Sequence, residues 1–587
     1  MKDQIRKQIQ SAISKLYPEA ADIDFTVEAA PEATGADYAS NVAMVLAKKL
    51  ARLPAPEGAA DGGQGMKPMD VASVILNEVK DLDSSSPSAP QNDKMSVTVA
   101  APGFLNFTLP EDTLHKNLRE IIQQGEVYGA LPSKRQEKVL VEYFQPNIAK
   151  PLHVGHMRSA IIGDCLYRTE KLFSETVESD THMGDWGTQF GLLLYAYRQW
   201  GDDAVIEKDP INELNKLYVR INEEIEAKPE LREAGKAEFV KLEQGDKENR
   251  ELWQKFVDWS MERFLRINDL LDISKFDHHW PESFYEDKMP AVLDRLKKEK
   301  LLVESEGAQI VDLDSYKLGT AVIVKSDRGT TYLLRDLATY LYRKHEQGFA
   351  RQVYVVDNRQ SHHFKQLFKI LELLGEWKAG EGAHVEFGFM SLPEGAMSTR
   401  KGNVIELDEV VTKAVEKAKT IIAEKNPDLR DSDKVARDVA IGALKYFDLS
   451  HNRKSDIVFT WDKALSFEGN TGPYLQYTHA RLKSILRKAG KSSGSNPGYK
   501  FDHQIERQIL GMLTQYAWKV EASGMPNILT DYLYDLATKA NQYYQEVRVL
   551  QEADEKLRAP RLALLLAVSQ VLKNGLYLLG IAAPEEM

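Results

Sequence analysis

The chain has 587 residues, too many for one compact core, so several domains are expected. Hydrophobic residues at 43% and charged residues at 28% describe a globular protein and exclude a chain that is disordered throughout. The formal net charge of −12 argues against a general polyanion binder while leaving room for local basic patches, and a single cysteine, Cys165, excludes an intrachain disulfide or a cysteine-based zinc cluster.

The first segment, Met1 to Tyr17, carries Ile5, Ile9, Ile13 and Leu16 at helical spacing, and it lacks the apolar centre of a signal peptide. Gly35 to Asn41 reads as a turn into a helix through Val42, Leu46 and Leu50. Val97 to Ala100 and Phe104 to Thr108 alternate as strands do on either side of a Pro-Gly turn. These pieces predict a small α+β domain over residues 1–112. Within it, 54–66 and 81–94 have compositions that bury little, and both are expected to form mobile surface.

Lys138 to Tyr143 predicts a strand, Met157 to Phe173 a helix with one apolar face, and Thr176 to His182 a second strand. This is a βαβ unit, which implies a parallel sheet with ligands at the carboxyl ends of its strands. Cys165 falls on the apolar face and reads as a core residue. Just before the helix, His153 and His156 are separated by Val154 and Gly155. The pair reads as a satisfied surface pair, as half a metal site, or as a phosphate site. No cysteine or carboxylate stands nearby in sequence to complete a metal site. Two imidazole donors and Lys150 at a helix N-terminus suit phosphate oxygens, and Gly155 lets a base or ribose approach the backbone, so ATP chemistry is expected there.

Lys216 to Ile273 lies in a charged, helical stretch near 195–275 whose charge runs read as solvated faces. Glu282 follows in Trp280 to Tyr285, and Ala321 to Lys325 predicts a strand. Tyr332 and Asp336 stand one helical turn apart and face one pocket, unless Asp336 merely charges the start of a surface helix. Gln352 to Val356 predicts a strand with Gln360, His362 and His363 beyond its carboxyl end; the two histidines read as structural or as neighbours of the nucleotide. After a strand expected over His384 to Met390, a polar basic loop at 395–403, flanked by Gly395 and Gly402, reads as a mobile phosphate lid. Lys434 to Asn452 is helical. Tyr474, Tyr477 and Arg481 then lie on a helix with a basic face that suits base stacking, or in a core. A Gly/Ser-rich linker at 490–498 leads to a helical tail that includes Tyr544 and Arg548. The apolar run Leu562 to Leu579 is broken by Ser569, Gln570, Lys573 and Asn574, so no membrane span is expected, and the cytoplasm is the expected compartment.

His153-Val154-Gly155-His156, embedded in Pro146 to Pro151 and followed by Met183 to Phe190, closely resembles the class I aminoacyl-tRNA synthetases, and within them the arginyl family. The resemblance covers nearly the whole chain, leaving out 54–66 and 81–94. It implies a Rossmann-like α/β nucleotide-binding catalytic domain at 113–455, with a helical insertion near the acceptor end of tRNA. It further implies an N-terminal α+β domain at the outer corner of the tRNA and an α-helical anticodon-binding bundle at 456–587. The implied reaction activates L-arginine with ATP to arginyl-adenylate and pyrophosphate, then transfers arginine to the terminal adenosine of tRNA(Arg).

By the same resemblance His153, His156, Lys150, Arg400 and Lys401 are catalytic, and Gly155, Met397 and Ser398 join the histidines around ATP. Glu282, Tyr332 and Asp336 hold the guanidinium, a planar cation that carboxylates and a hydroxyl suit. Asn147 and Gln360 hold the amino and carboxylate groups. Phe104 and Asn106 look exposed and are expected to touch tRNA, unless they pack in the domain core; Tyr474, Tyr477, Arg481 and Tyr544 are the other tRNA candidates. The loop departs from the family pattern, with Ala396 and Thr399 where lysines stand, so Lys150 is expected to take over part of the charge. Magnesium is expected to arrive with ATP, with no protein-bound zinc, and the chain is expected to be a monomer that activates arginine only with tRNA bound. The alternatives are a class I synthetase for another amino acid and a non-catalytic tRNA-binding relative.

Overall fold

The computed structural model describes residues 1–51, 67–84, 95–326, 329–393, 405–466, 468–490 and 499–587, with the backbone alone at 80–84 and 523. The chain divides into two compact units. One comprises 1–129, 478–521 and 532–574, the other 130–477, 522–531 and 575–587.

In the first unit, β1 (Val27–Ala29), β2 (Tyr38–Ser40), β3 (Ser96–Ala100) and β4 (Phe104–Thr108) form an antiparallel sheet in the order β1-β2-β4-β3. Helices α1 (Lys2–Leu16), α2 (Val42–Leu50) and α3 (Pro68–Ser84) accompany it, followed by α4 (Glu111–Gln124). Ile5, Ile9 and Ile13 are the buried stripe of α1, as their spacing requires. Helix α3 runs to Ser84, four residues into a stretch expected to be loop, because Val71, Ile75 and Val79 carry a helical apolar stripe up to it. Residues 85–94, like 54–66, lie outside the described residues. The structure also corrects the expected exposure of Asn106, which is 6% accessible. Its strand is interior to the sheet, so Ala39 on β2 and Thr98 on β3 flank it on both sides. Phe104, at the strand end, is half-buried.

The second unit holds the expected parallel sheet. Its strands are β5 (Arg135–Glu142), β6 (Ser174–Asp180), β10 (Arg351–Tyr354) and β11 (Gly382–His384), in the order β11-β10-β5-β6. Helix α5 (Val154–Phe173) crosses from β5 to β6 and runs straight into β6 at Ser174. It sits close on the sheet, because a Cβ at Gly163 would fall 2.2 Å from Tyr143 Cβ. Cys165 is buried in its apolar face, and burial pushes the thiol up to about 12, as befits a core residue.

Between β6 and β10 lie α6 (Thr188–Trp200), α7 (Asp203–Ile206), α8 (Pro210–Ala227), α9 (Glu230–Glu243), α10 (Lys247–Leu270) and α11 (Met289–Lys298). An antiparallel sheet of β7 (Val303–Ser305), β8 (Ala308–Asp312) and β9 (Thr320–Val324) then precedes α12 (Tyr332–His345). Helix α13 (Ser361–Leu373) links β10 to β11. The strand expected over His384 to Met390 is two short ones, β11 and β12 (Met390–Ser391), the latter paired with β13 (Ile457–Val458). The break comes at Gly388, whose N–H turns from the sheet to Arg453 O (2.8 Å), with Ser455 O only 2.3 Å from where its Cβ would stand.

The remaining helices are α14 (Leu407–Lys425), α15 (Ser432–Leu449), α16 (Trp461–Ala464), α17 (Gly472–Ala489), α18 (Gln504–Leu513), α19 (Tyr516–Glu521), α20 (Pro526–Glu546) and α21 (Glu555–Leu578). Among the described residues, no helix is long and apolar enough to cross a membrane.

Candidate active site at the carboxyl ends of the parallel sheet

Strands β5 and β10 lie side by side, and the chain leaves them in opposite directions, towards β6 and towards β11. Such a switch point opens a crevice beyond the strand ends. The residues that follow β5 fill one side of it. Ala149 takes a left-handed conformation (φ 58°), held by the hydrogen bond its N–H donates to Ser260 Oγ (2.8 Å) on α10. Lys150 comes next, with Nζ 3.5 Å from Gln189 Oε1 and 4.8 Å from the centre of the Tyr218 ring.

His153 is the N-cap of α5. Its Nδ1 accepts from Gly155 N–H (3.1 Å), and His156 Nδ1 accepts from His153 N–H (3.2 Å), a reciprocal capping box built from two imidazoles. An accepting Nδ1 places the ring proton on Nε2, so each ring keeps one N–H to donate. Burial pulls His153 down to about 4; burial, then the neighbouring His153 and Lys150, pulls His156 well below the ordinary imidazole value. Both rings are neutral donors at physiological pH. The segment Ile405 to Leu407 runs beside the turn, with Val154 N–H donating to Ile405 O (3.1 Å) and Leu407 N–H to Leu152 O (3.0 Å). Met397, Ser398, Arg400 and Lys401 lie outside the described residues.

The other side of the crevice is acidic. Gly184 N–H donates to Pro146 O and Ile148 N–H to Gly184 O (3.1 Å each), which lays the Met183-Gly184 turn against Asn147. A Cβ at Gly184 would meet Asn147 Oδ1 at 2.2 Å, so glycine is what this approach allows. Trp186 is buried edge-on against Trp253, whose Nε1–H donates to Asp185 O (2.9 Å). Buried Asp185 accepts from Ser283 N–H (2.9 Å) and Oγ–H (2.5 Å), and Glu282 N–H donates to Met183 O (3.0 Å). One continuous set of bonds therefore runs from Asn147 to Glu282.

Glu282 Oε2 accepts from Arg335 Nη1–H (2.8 Å), and the next residue on α12, Asp336, meets His363 Nε2 (2.5 Å) through Oδ2. His182 Nε2 stands 3.9 Å from Asp336 Oδ1. Burial pushes the Glu282 carboxyl up to about 8, against the pull of Arg335. Burial opposes the charge on Asp336 as well, but the hydrogen bond and charge of His363, with His182 and Arg335, leave its carboxyl below the ordinary value. Tyr332, one turn before Asp336, is 60% exposed. Asn147 and Gln360 are exposed, and Gln360 directly precedes α13, which carries His363.

A possible metal-binding trio, Glu142, Asp180 and His182, lies at the ends of β5 and β6. Its two carboxylates already pair with the fully buried guanidinium of Arg343 (2.5 Å each). Among the tRNA candidates, Tyr477 and Tyr544 are 47% and 48% exposed, and Tyr474 is half-buried. Arg481 donates to Asn541 Oδ1 (2.7 Å) with its guanidinium 5.3 Å from the centre of the Tyr544 ring. A cavity of about 370 Å³ opens beside Tyr544 and Arg548.

Sequence reasoning singled out Asn147, Glu282, Tyr332, Asp336 and Gln360, and the structure joins Asn147, Glu282 and Asp336 into one acidic wall. It missed Arg335 and Asp185, and it left His363 without a defined role. Arg335 was within reach, since it stands between Tyr332 and Asp336 on one helix.

Comparison with known proteins identifies the family. Residues 117–461 match the model of the class I (R) tRNA synthetase catalytic domain, 475–587 that of the DALR anticodon binding domain, and 3–109 that of the arginyl tRNA synthetase N terminal domain. The arginine–tRNA ligase of Limosilactobacillus fermentum is 40% identical, covering 99% of this chain and 100% of its own. That of Alkaliphilus metalliredigens is 42% identical over 83% of this chain and 86% of its own. The solved arginyl-tRNA synthetase of Thermus thermophilus superposes with a TM-score of 0.81 at 27% identity, covering 100% of both chains. With the catalytic, N-terminal and anticodon-binding models all matched, and such relatives aligned over most of their length, the chain belongs to the arginyl-tRNA synthetase family.

Proposed function

We propose how this chain carries out arginine–tRNA ligation in translation. The amino acid lies along the wall from Asn147 to Glu282, its guanidinium read by Glu282, Asp336 and the Tyr332 hydroxyl, and its amino and carboxylate groups by Asn147 and Gln360. The observation that carries this reading is the bond set tying Asn147 to Glu282 through Gly184 and Met183, with Asp336 beside it on α12. Two carboxylates at fixed spacing suit the fork of a guanidinium better than a neutral side chain.

The arginine carboxylate is itself the nucleophile towards the α-phosphate of ATP, so the protein's part is to position the groups and to stabilise the charge that builds up. The Nε2–H donors of His153 and His156 and the ammonium of Lys150 do this at the N-terminus of α5, with Gly155 leaving room for the nucleoside. Arg400, Lys401, Met397 and Ser398 complete the phosphate site in the same reading. Magnesium enters as the ATP complex, held chiefly by phosphate oxygens, and supplies further charge neutralisation. Phe104, Tyr474, Tyr477, Arg481 and Tyr544 are the tRNA contacts, supported by the exposed rings of Tyr477 and Tyr544 and by the cavity beside Tyr544. Asn106, being buried, serves the sheet instead. The enzyme works as a cytoplasmic monomer in this reading.

Replacing His156 tests the phosphate site. His156→Ala removes one donor and is expected to lower tRNA-dependent ATP–pyrophosphate exchange about 100-fold or more. His156→Asn, whose side chain can still bond the His153 N–H, separates loss of the cap from loss of the donor. Exchange at the wild-type rate in a folded His156→Ala enzyme would refute the assignment.

A further inference from the structure

The two carboxylates assigned to the substrate guanidinium are each already engaged by a basic group of the chain itself. Glu282 takes Arg335 at 2.8 Å and Asp336 takes His363 at 2.5 Å. Arg335 is the less expected of the two. Its side chain is only 5% exposed, on the inner side of α12, between the exposed Tyr332 and the half-buried Asp336. Buried arginines are costly unless paired, and this one spends its pairing on a residue that the substrate must also use.

We propose that Arg335 is a positioning residue for arginine recognition: its guanidinium holds Glu282 in the orientation that a substrate guanidinium requires and eases its ionisation when that guanidinium binds. The proposal rests on the assignment of Glu282 to the substrate guanidinium. Two observations carry it further than a general structural role. The bond uses Oε2 of Glu282, and among the described residues no hydrogen bond reaches Oε1, so one oxygen is fixed while the other remains for a ligand. Glu282 also stands among negative groups from three other places in the fold, Asp336 on α12, Asp185 in the turn after β6 and Glu142 at the end of β5. With Arg335 in place those charges and its burial already push its carboxyl up to about 8, and without that cation the proton that a substrate guanidinium must expel would be held more firmly. The Arg335 charge also acts on Glu243 of α9 and on Glu286 before α11, so Glu282 is one of several carboxylates around it.

Removing Arg335 should therefore change what the pocket selects, not merely how stable it is. The test compares full-length wild type, Arg335→Gln, Arg335→Lys and Glu282→Gln in aminoacylation with arginine and tRNA from pH 6.5 to 9. L-citrulline, the neutral isostere of arginine, serves as a competitive inhibitor, and KM for ATP and thermal melting serve as controls. Arg335→Gln is expected to raise the KM for arginine about tenfold to a hundredfold at pH 7, with kcat at saturating arginine within about threefold of wild type. Its KM should still be falling at pH 9, because Glu282 now gives up its proton only at higher pH. Its preference for arginine over citrulline should shrink in proportion. Arg335→Lys keeps a cation without the fork, so it should restore most of the pH profile and part of the KM; if the Gln variant does not fold, a raised arginine KM with an unchanged ATP KM in the Lys variant carries the test.

Arginine KM, pH profile and citrulline discrimination at wild-type values in the folded Arg335 variants would overturn the proposal. Loss of kcat, arginine KM and ATP KM together would also overturn it, since that marks a purely structural residue. Glu282→Gln separates this from the reading beneath it. If Glu282→Gln leaves the arginine KM unchanged, the assignment of Glu282 fails; if Glu282→Gln is defective and Arg335→Gln is not, only the role of Arg335 fails.

Discussion

Glu282 shows most directly how burial sets chemistry in this site. A carboxyl pushed up to about 8 by burial is mostly protonated in the empty pocket at pH 7, and a guanidinium that pairs with it must expel that proton. On the proposed pairing of the substrate guanidinium with Glu282, arginine binding is linked to proton release, and its affinity rises as pH rises towards 8 and levels off above it. Asp336 adds little to this slope, because its carboxyl lies below the ordinary value and is already ionised. The KM for arginine in the wild-type enzyme should fall between pH 6.5 and 8, by at most about tenfold per unit. A KM flat from pH 6.5 to 8.5 would show that Glu282 is ionised throughout. The histidines of the turn behave differently. With His153 down to about 4 and His156 held well below the ordinary value, the slope does not report the histidine turn.

At the scale of elements, the β5–α5–β6 unit was legible because its signals are local. A short continuous apolar run, a histidine pair at the helix start and a period-3.6 stripe each announce one piece. The same helix shows what was not legible. Its Gly163 looks like an ordinary weak helix position in sequence, yet in the fold it is the point where α5 meets the Tyr143 side chain, where an added methyl would fall 2.2 Å from both Tyr143 Cβ and Cγ. Those atoms are the stem of a fully buried ring and cannot step aside. Gly163→Ala should lift α5 from the sheet, cost about 1–3 kcal/mol and lower the melting temperature, despite the better helix propensity of alanine. A variant that melts higher than wild type would mean that propensity wins over packing. Arg158 was equally hidden. Read from sequence it is a charged residue on a helix, but it is fully buried, pairs with Asp448 (3.0 Å) and donates to the carbonyls of Gly388, Ser455 and Arg453. Such long-range partners leave no periodic trace, and for the same reason the break in the strand expected over His384 to Met390 could not be foreseen.

At the scale of the whole molecule, the chain order of domains is not the order of packing. Residues 1–129 share a compact unit with 478–521 and 532–574, so the first strands and the last helices fold together although most of the chain separates them. The join is polar and specific. Asp37, only 7% exposed, accepts two hydrogen bonds from Arg507 (2.9 and 2.7 Å) and one from Leu109 N–H (2.7 Å). Arg507 donates as well to Leu109 O (3.1 Å), and Tyr38 OH meets Thr514 Oγ1 (3.0 Å) next to it. A bidentate pair of this kind contributes less than its removal costs, because losing one partner strands the other and its neighbours. Asp37→Ala would leave the Arg507 guanidinium without its main acceptor and the Leu109 N–H without any. The expected loss is about 3 kcal/mol, seen by calorimetry as a lower melting transition for this unit. Asp37→Asn, which keeps the acceptor for Leu109 but not the charge, should lose less. Because the proposed site residues from Asn147 to Gln360 all belong to the other unit, ATP–pyrophosphate exchange should survive both substitutions below the new transition, and a loss of exchange there equal to that of His156→Ala would show that the change at Asp37 reaches the other unit.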